Sequence, residues 1–481
     1  MEIRRKLAKE APLVHEPDLA IALNNIAILY CTMRKIEDCE SLFKESVEIY
    51  VKLANENPRV YNDKLAWGFT YLADFYSDTK RFTESEDLYN KALEIQRRLV
   101  EEDANVFEPD MAYTLNSLGI LYQRTQKYEK SIIMYNEALE IRSRLAKEKP
   151  QRYENELATT ASNLAAVYSL TGRFNESESL SKEALNFYRR SAVNAPYVYL
   201  PEVARVLRNL GMIYKNTGDI NKFEVTIKEA LGIYRKLAEK YPQKYEQSMV
   251  QTLDVILSVF YNSQRIMDAG EYIIESLEIH HRLAEENPQK YRLKLAEIQK
   301  IASQYFINRE EYQKAVVSFE EMYTIYKEYV TIEPKYRYEQ IVALYYLSML
   351  YTDEKKHGVY EELIPLVREE YKQNPKDFKK LFIIILDNST DYYLFAGDFA
   401  RAEQYATEGF IEDNSQIRMY LNCIAAILLQ GKYTEAENLY RTNKAQLKDA
   451  FLESLKQLED AGMIPDERRE DVEKIRTLLN E

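Results

Sequence analysis

The sequence predicts an all-α protein, a right-handed α-solenoid (superhelix) of about ten antiparallel helix pairs. Three observations predict this fold class. The 481 residues include only 12 glycines and 13 prolines, whereas Ala, Leu, Glu and Lys are abundant, which favours helices over sheets. Leu115, Leu118, Gly119 and Tyr122 recur at the i, i+3, i+4, i+7 spacing of one helix face. The same pattern then repeats along most of the chain, so the helices are expected to bury their apolar faces against one another.

The repeat length is 46 residues, and two sets of landmarks share it. One is the aromatic residue that closes each first helix: Tyr30, Tyr76, Tyr122, Tyr168, Tyr214, Phe260 and Phe306. The other is a proline: Pro12, Pro58, Pro150, Pro196, Pro242, Pro288 and Pro334, with Ala104 as the exception in that register. Two independent landmarks with one period indicate a solenoid.

Each repeat is predicted to contain two helices. The first carries the Leu115–Tyr122 face, and the polar turn QRTQK follows it. The second carries the face formed by Ser131, Tyr135, Ala138 and Leu139. Proline cannot continue a helix, so the second helix is expected to end at Pro150 and at its counterparts.

These residues resemble a known repeat. Leu118-Gly119-x-x-Tyr122 followed by Ser131-x-x-x-Tyr135-x-x-Ala138 is similar to the tetratricopeptide pattern W-x2-L-G-x2-Y…A-x3-F…P. The usual tetratricopeptide unit has about 34 residues, so each unit here has about 12 more, which are expected to lengthen both helices. Lengthened repeats of this kind resemble those of kinesin light chains and of bacterial tetratricopeptide arrays. The resemblance implies a protein-binding solenoid.

The chain divides into three predicted segments. Regular repeats occupy residues 1–336, degenerate and shorter repeats 337–446, and capping helices 447–481, where Leu447, Phe451, Leu455 and Leu458 form one apolar face. Residues 2–12 match residues 140–150, so the chain is predicted to begin inside a second helix. We therefore expect that it was cut from, or evolved out of, a longer array.

Composition narrows the function. A net charge of −13 argues against nucleic acid as a partner, and no apolar run approaches the length of a membrane span. The N-terminus lacks the apolar core of a signal peptide, so a cytoplasmic location is expected. Cys31, Cys39 and Cys423 are expected to be reduced thiols, because their number is odd and their spacing fits no metal site. The four histidines form no metal or catalytic motif, so no catalytic residue, metal or cofactor is predicted.

The remaining candidate site is the concave groove lined by the first helices. Trp67, the only tryptophan, and Tyr113 occupy one groove position in adjacent repeats, and arginines and a lysine gather positive charge further along. Alternatively, these charges pair with carboxylates of neighbouring helices. Asn25, Asn163 and Asn209 resemble the asparagines that hydrogen-bond a peptide backbone in kinesin-light-chain-like repeats. Alternatively, they bridge helices locally. The predicted groove residues are Asn24, Trp67, Tyr113, Asn116, Arg124, Asn163, Arg205, Arg208, Asn209 and Lys215.

The sequence thus predicts a non-enzymatic scaffold that holds a partner protein or peptide, with an acidic segment or a C-terminal carboxylate as the ligand chemistry. The alternative is a sensor array belonging to a longer signalling protein, for example one with an NTPase domain upstream. RNA binding would require a basic groove with a repeated base-reading code, which the charge balance disfavours.

Overall fold

The structure is a computed structural model that describes residues 2–33, 35–352, 354–442 and 444–480. Within them, the side chains of residues 13, 444–447 and 480 are outside the description, and this includes that of Leu447. Contacts between residues group the chain into two units, Met1–Val259 and Phe260–Glu481. Throughout the described residues the helices pack in consecutive antiparallel pairs and no strand occurs, so the predicted all-α solenoid is confirmed.

The first unit contains twelve helices, of which the last continues three residues into the second unit. They are α1 (Glu2–Glu10), α2 (Pro12–Thr32), α3 (Ile36–Glu56), α4 (Pro58–Asp78), α5 (Phe82–Glu102), α6 (Ala104–Arg124), α7 (Tyr128–Glu148), α8 (Pro150–Leu170), α9 (Phe174–Ala192), α10 (Pro196–Thr217), α11 (Ile220–Lys240) and α12 (Pro242–Asn262).

The second unit continues the alternation with eleven further helices. They are α13 (Gly270–Glu286), α14 (Pro288–Asn308), α15 (Tyr312–Val330), α16 (Arg337–Leu350), α17 (Lys355–Gln373), α18 (Pro375–Phe395), α19 (Phe399–Glu412), α20 (Ile417–Leu429), α21 (Tyr433–Thr442), α22 (Lys444–Asp460) and α23 (Arg469–Asn480). Among the described residues, α2 to α11 form five packed pairs in the first unit, and α14 to α21 form four in the second unit.

The prolines mark where each repeat begins. Pro58 and Pro150 are the first residues of α4 and α8, and the preceding second helices end just before them, at Glu56 and Glu148. A proline fits this position because the first residue of a helix has no intrahelical partner for its N–H. Helices α4, α6 and α8 each have 21 residues, although α6 begins at Ala104 and not at a proline. The extra residues of each repeat therefore lengthen the first helix as well as the second.

Small residues allow the two helices of a pair to approach closely. A Cβ on Gly119 would lie 2.7 Å from Cε1 of Tyr135, which is fully buried on the facing helix. The Ser131 hydroxyl donates a hydrogen bond of 2.7 Å to the Gly119 carbonyl oxygen, so serine links the helices at the position where alanine is usual. The glycine and the serine are thus needed for the α6–α7 contact.

Neighbouring repeats of the first unit are tied by an aromatic, acidic and basic trio. The Tyr122 hydroxyl donates to Glu86 Oε1 (3.0 Å), and Lys127 Nζ donates to Glu86 Oε2 (2.7 Å). Lys127 also lies 5.6 Å from the centroid of the Tyr122 ring. The tyrosine that closes a first helix therefore does more than fill the core, because it bonds to the second helix of the preceding repeat.

The second unit has shorter helices toward the C-terminus and one extended core. Helices α16 and α19 have 14 residues each, and α21 has 10. Phe451 and Leu455 of α22 and Ile475 of α23 are fully buried in the core shared with α18 and α20. This burial agrees with capping by the last two helices, while the three-segment division of the chain remains a prediction.

The expectation of three reduced cysteines is wrong for two of them. Cys31 in the last turn of α2 and Cys39 in the first turn of α3 form a disulfide, with Cα atoms 5.6 Å apart. Counting cysteines could not reveal this pair, because the tight turn between the helices is what brings the two together. Cys423 is a free thiol, and burial raises its pKa.

Candidate functional site

The inner surface of the first unit is formed by α2, α4, α6, α8, α10 and the part of α12 up to Val259. These first helices approach one another in succession, whereas α1 and the second helices lie behind them. Thr70 of α4 and Thr114 of α6, for example, are buried between these helices, with their hydroxyl oxygens 3.2 Å apart. The surface where like helices come closest is the concave side of a stacked array. We call it the groove.

Three aromatic rings lie together in the groove. The Trp67 ring stacks on Tyr71, one turn later on α4, with centroids 5.2 Å apart at an interplanar angle of 28°. Its other neighbour is Tyr113 of α6, with centroids 5.3 Å apart at 45°. Trp67 and Tyr71 are half-buried and Tyr113 is 37% exposed. The structure thus brings together the tryptophan and the tyrosine that the sequence pairs, and we call these three rings the aromatic patch.

Two carboxylates border the aromatic patch. Asp110 Oδ2 accepts a hydrogen bond of 2.8 Å from Trp67 Nε1. Asp74 Oδ2 accepts one of 3.0 Å from the Tyr113 hydroxyl, and the buried Tyr89 donates to Asp74 Oδ1. Burial raises the pKa of Asp110, and it raises the pKa of Asp74 to about 6 in opposition to these hydrogen bonds. The hydroxyl and indole donors are neutral and do not cancel the charge of the carboxylates, so this end of the groove is negatively charged at neutral pH.

Two of the predicted groove cations are paired with carboxylates. Arg124 Nη1 donates to Ser77 Oγ (2.9 Å) and lies 3.5 Å from Asp78 Oδ1, which links α6 to α4. Arg205 Nε donates to Glu202 Oε2 (2.7 Å) on its own helix. The alternative of pairing with a neighbouring helix describes the contact of Arg124, whereas Arg205 pairs within α10.

The other two cations have neutral partners. Arg208 Nη1 donates to Gln251 Oε1 (2.8 Å), and Lys215 Nζ donates to Ser258 Oγ (3.1 Å). Both bonds join α10 to α12, and neither involves a carboxylate. The α10 part of the groove therefore keeps positive charge in a protein whose net charge is −13.

The predicted asparagines are mainly placed between helices. Asn116 is 8% exposed, and its Oδ1 accepts hydrogen bonds from Thr160 Oγ1 (3.2 Å) and Asn163 Nδ2 (3.3 Å). Asn24 is 7% exposed, and Asn209 is half-buried. For Asn116 and Asn163 the contacts are those of a local bridge between α6 and α8. Asn116 and Asn24 have little side-chain surface left for a peptide backbone.

Comparison with known families identifies the repeats. Profiles described as tetratricopeptide repeat match residues 64–144, 110–190, 19–59 and 204–237. Each matched segment begins about six to eight residues inside a first helix and ends within about four residues of the end of a second helix. The chain contains tetratricopeptide repeats. No curated protein sequence matches it significantly.

Several solved structures are similar to this tetratricopeptide protein. BtubC from P. vanneervenii is 25% identical, with 52% of this chain and 92% of that chain covered and a TM-score of 0.42. A putative kinesin light chain from Podosopora anserina is 16% identical, with 46% and 98% covered and a TM-score of 0.37. Aspartyl phosphate phosphatase F from Bacillus subtilis is 13% identical, with 66% and 73% covered and a TM-score of 0.42.

Two other features of the helices concern metal binding and membrane crossing. Among the described residues, no group of three or more His, Cys, Asp and Glu side chains is placed to hold a metal ion. In the same part of the chain, every helix is too short or too polar to cross a bilayer.

Sequence reasoning missed the carboxylates of the groove. The predicted groove residues include neither Asp74 nor Asp110. Their signal was present in the tetratricopeptide register, since Asp110 lies 43 residues after Trp67 and so one turn before the equivalent groove position, Tyr113. A search for acids one helical turn from groove aromatics would have found it.

Proposed function

We propose that this tetratricopeptide protein is a non-catalytic scaffold, acting in the cytoplasm, whose first unit binds an extended segment of a partner protein in its groove. Stacked helix pairs give a preformed surface, so little of the binding free energy is lost in ordering the receptor. One of the similar solved structures is titled a tetratricopeptide protein with an unusual peptide-binding site, which is the same class of ligand.

The observation that carries the proposal is the pair Arg208 and Lys215. Within the described residues, their charged groups donate to the neutral Gln251 and Ser258 and form no ion pair, so a partner carboxylate can approach them without displacing one. A guanidinium and an ammonium suit the carboxylate of an acidic side chain or of a chain terminus. We assign an acidic segment of the partner to this end of the groove.

Photo-crosslinking tests whether partners enter the groove. A photoreactive phenylalanine analogue is placed at Ile120, on the groove face of α6 and 36% exposed, and in a second protein at Ile133 of α7, which is 59% exposed. Irradiation in cells should give crosslinked partner proteins from position 120 and not from the control position 133. Equal crosslinking from both positions would exclude the groove as the binding surface.

A defined peptide tests the charge assignment. Labelled hexaglutamate is titrated against the protein and against the variant Arg208→Glu/Lys215→Glu, with fluorescence anisotropy as the readout. The control is Arg98→Glu/Lys91→Glu, which makes the same charge change on the outer helix α5, where both cations are exposed. We expect the groove variant to weaken binding by about tenfold or more and the control variant to have a much smaller effect. An equal loss in the two variants would show that only net charge matters.

A further inference from the structure

We propose that the aromatic patch, with Asp74 and Asp110 at its border, binds an arginine side chain of the partner. This inference rests on the proposed function, because it assigns the chemistry of a second position in the same groove. Its evidence comes from α4 and α6 and is independent of the basic residues on α10.

Some aromatic rings at repeated positions of the first unit are covered by a cation of the chain itself, whereas the rings of the aromatic patch, among the described residues, are not. Arg81 lies 4.0 Å from the centroid of the Tyr76 ring, and Arg173 lies 4.0 Å from that of Tyr168, at equivalent positions two repeats apart. Within the described residues, no lysine or arginine lies over Trp67, Tyr71 or Tyr113. Indole and phenol rings are the best cation acceptors among side chains, so these three rings are available to a cation from outside.

The bordering carboxylates lack a direct ion pair among the described residues, and the charge of Arg152 only partly offsets the rise in the pKa of Asp110 that burial causes. Neither Asp74 nor Asp110 forms an ion pair with a lysine, arginine or histidine in the part of the chain that the structure describes. Other carboxylates between repeats do, as Glu86 does with Lys127. Burying a carboxylate without a countercharge costs free energy, and a partner's cation would remove that cost.

Helix α5 carries a buried amide whose place follows from the repeat. Gln96 of α5 is 2% exposed, and both its Nε2 and its Oε1 have no hydrogen-bond partner. It precedes Arg142 by 46 residues, and Arg142 Nη1 donates to Thr160 Oγ1. Thr160 likewise follows Thr114 by 46 residues, so the repeat places Gln96 beside Thr114. Thr114 lies one turn after Asp110 on α6. The repeat therefore predicts that this amide lies next to α6 near Asp110, and among the described residues its polar atoms have no hydrogen-bond partner.

A guanidinium fits this arrangement better than an ammonium. Its planar face can lie on an aromatic ring while its N–H groups donate in the plane to carboxylates at the ring edge. An ammonium presents a point charge and keeps its hydration more strongly. The aromatic patch supplies ring faces and Asp74 and Asp110 supply edge acceptors, so we assign arginine.

The protein contains its own reporter for this site. Trp67 is the only tryptophan of the chain, so the intrinsic tryptophan emission reports the aromatic patch alone. Acetylated and amidated hexa-arginine, hexalysine and hexaglutamate are titrated against the full chain at physiological salt. Hexa-arginine is expected to change the emission in a saturable way, with an affinity several-fold higher than that of hexalysine. Hexaglutamate should leave the emission unchanged.

Matched variants separate the site from general electrostatics. Asp74→Asn/Asp110→Asn removes two charges, and an asparagine at position 110 can still accept from Trp67 Nε1. Asp87→Asn/Glu94→Gln removes two charges from exposed positions of α5 and serves as the control. We expect the affinity for hexa-arginine to fall by about tenfold or more in the groove variant and to change less than twofold in the control. Tyr113→Leu keeps an apolar side chain but removes one ring, and it should also weaken binding. Circular dichroism and the urea midpoint confirm that each variant is folded.

Several results would overturn the assignment. They are an unchanged affinity in Asp74→Asn/Asp110→Asn, equal losses in the groove and control variants, or no response of Trp67 to hexa-arginine. Hexalysine binding as tightly as hexa-arginine would exclude the guanidinium. If these results occur while crosslinking from position 120 succeeds, the groove binds partners but not through an arginine at α4 and α6. If position 120 fails and hexa-arginine binds as expected, the site stands without the proposed scaffold role.

Discussion

The carboxylate of Asp74 is held by the hydroxyls of Tyr89 and Tyr113, and yet burial raises its pKa to about 6. An aspartate whose folded pKa lies above its ordinary value of 3.8 binds a proton more tightly when the protein is folded. Its contribution to stability is therefore fully present below about pH 4 and is lost as the pH rises through about 6.

This linkage predicts the behaviour of Asp74→Asn. The urea midpoint of the variant, relative to that of the wild-type protein, should rise between pH 4 and pH 7, because the variant has no charge to bury. The measurement is a series of urea denaturation curves for both proteins over that range. Other carboxylates titrate in both proteins and cancel in the difference, so parallel pH profiles would contradict the shifted pKa of Asp74.

Gly119 offers a prediction about packing. Gly119→Ala places a methyl group against the fully buried Tyr135 ring and should lower the free energy of unfolding by about 1–3 kcal/mol. Gly232→Ala in α11 is the matched control, since nothing lies within 4 Å of the added Cβ, and it should stabilise by about 0.5–1 kcal/mol. Urea denaturation measures both. A neutral Gly119→Ala would mean that Tyr135 can move aside.

At the scale of the helix, the sequence predicts where each helix lies in the repeat, but it does not predict which side chains pair between helices. The prolines locate the ends of the second helices because proline cannot continue a helix. The closing aromatic residues locate the last turns of the first helices through the 46-residue period. The partner of Arg124 depends on which residues of α4 face α6 across the groove, and the sequence contains no local signal for Asp78. Tyr71 and Asp110 differ in this respect, since Tyr71 lies one turn after Trp67 and Asp110 one turn before Tyr113, and both positions follow from the helical period and the repeat.

The link between α2 and α3 gives an element-scale prediction. Protein isolated without reductant and then denatured should show one reactive thiol, that of Cys423, and three after reduction. Reduction should also destabilise the α2–α3 pair by about 2–3 kcal/mol, because the cross-link restricts a short loop of the unfolded chain. A thiol assay and urea denaturation of Cys31→Ser/Cys39→Ser measure these effects. Three reactive thiols before reduction would restore the original expectation. Because the cytoplasm keeps thiols reduced, the count in freshly lysed cells also tests the proposed location.

At the scale of the whole molecule, stability is distributed along a line of nearest-neighbour contacts. Helix α6 buries eleven of its 21 residues between two neighbours, whereas α1 buries only Ala8. In an array of repeats, terminal elements open with little cost and internal ones open only with their neighbours. Amide hydrogen exchange measured by mass spectrometry should therefore show α1 exchanging long before α6. Equal protection of the two helices would indicate that the first unit opens as one cooperative block.

The fold was predictable from sequence because a period of 46 residues is a global property that each repeat restates, so single irregular positions such as Ala104 do little harm. The groove was predictable as a face, and the Trp67–Tyr113 contact followed from equal positions in adjacent repeats. Its charge distribution was only half predictable. Cations are visible in the sequence, but whether each is neutralised depends on atoms of another helix, as Arg208 and Arg124 show in opposite ways.

The contact between Trp67 and Tyr113 joins equivalent positions of adjacent repeats. The number of ligand residues between two groove positions can therefore be obtained from the number of repeats between them. Packed helix axes lie about 8–10 Å apart, and an extended chain advances about 3.3 Å per residue, so a bound segment covers about three residues per repeat. Arg208 and Lys215 lie on α10, two repeats beyond Tyr113 and three beyond Trp67. A partner that uses both ends should carry its arginine and its acidic residues about six to nine positions apart, and that spacing could be sought in candidate sequences before any binding is measured.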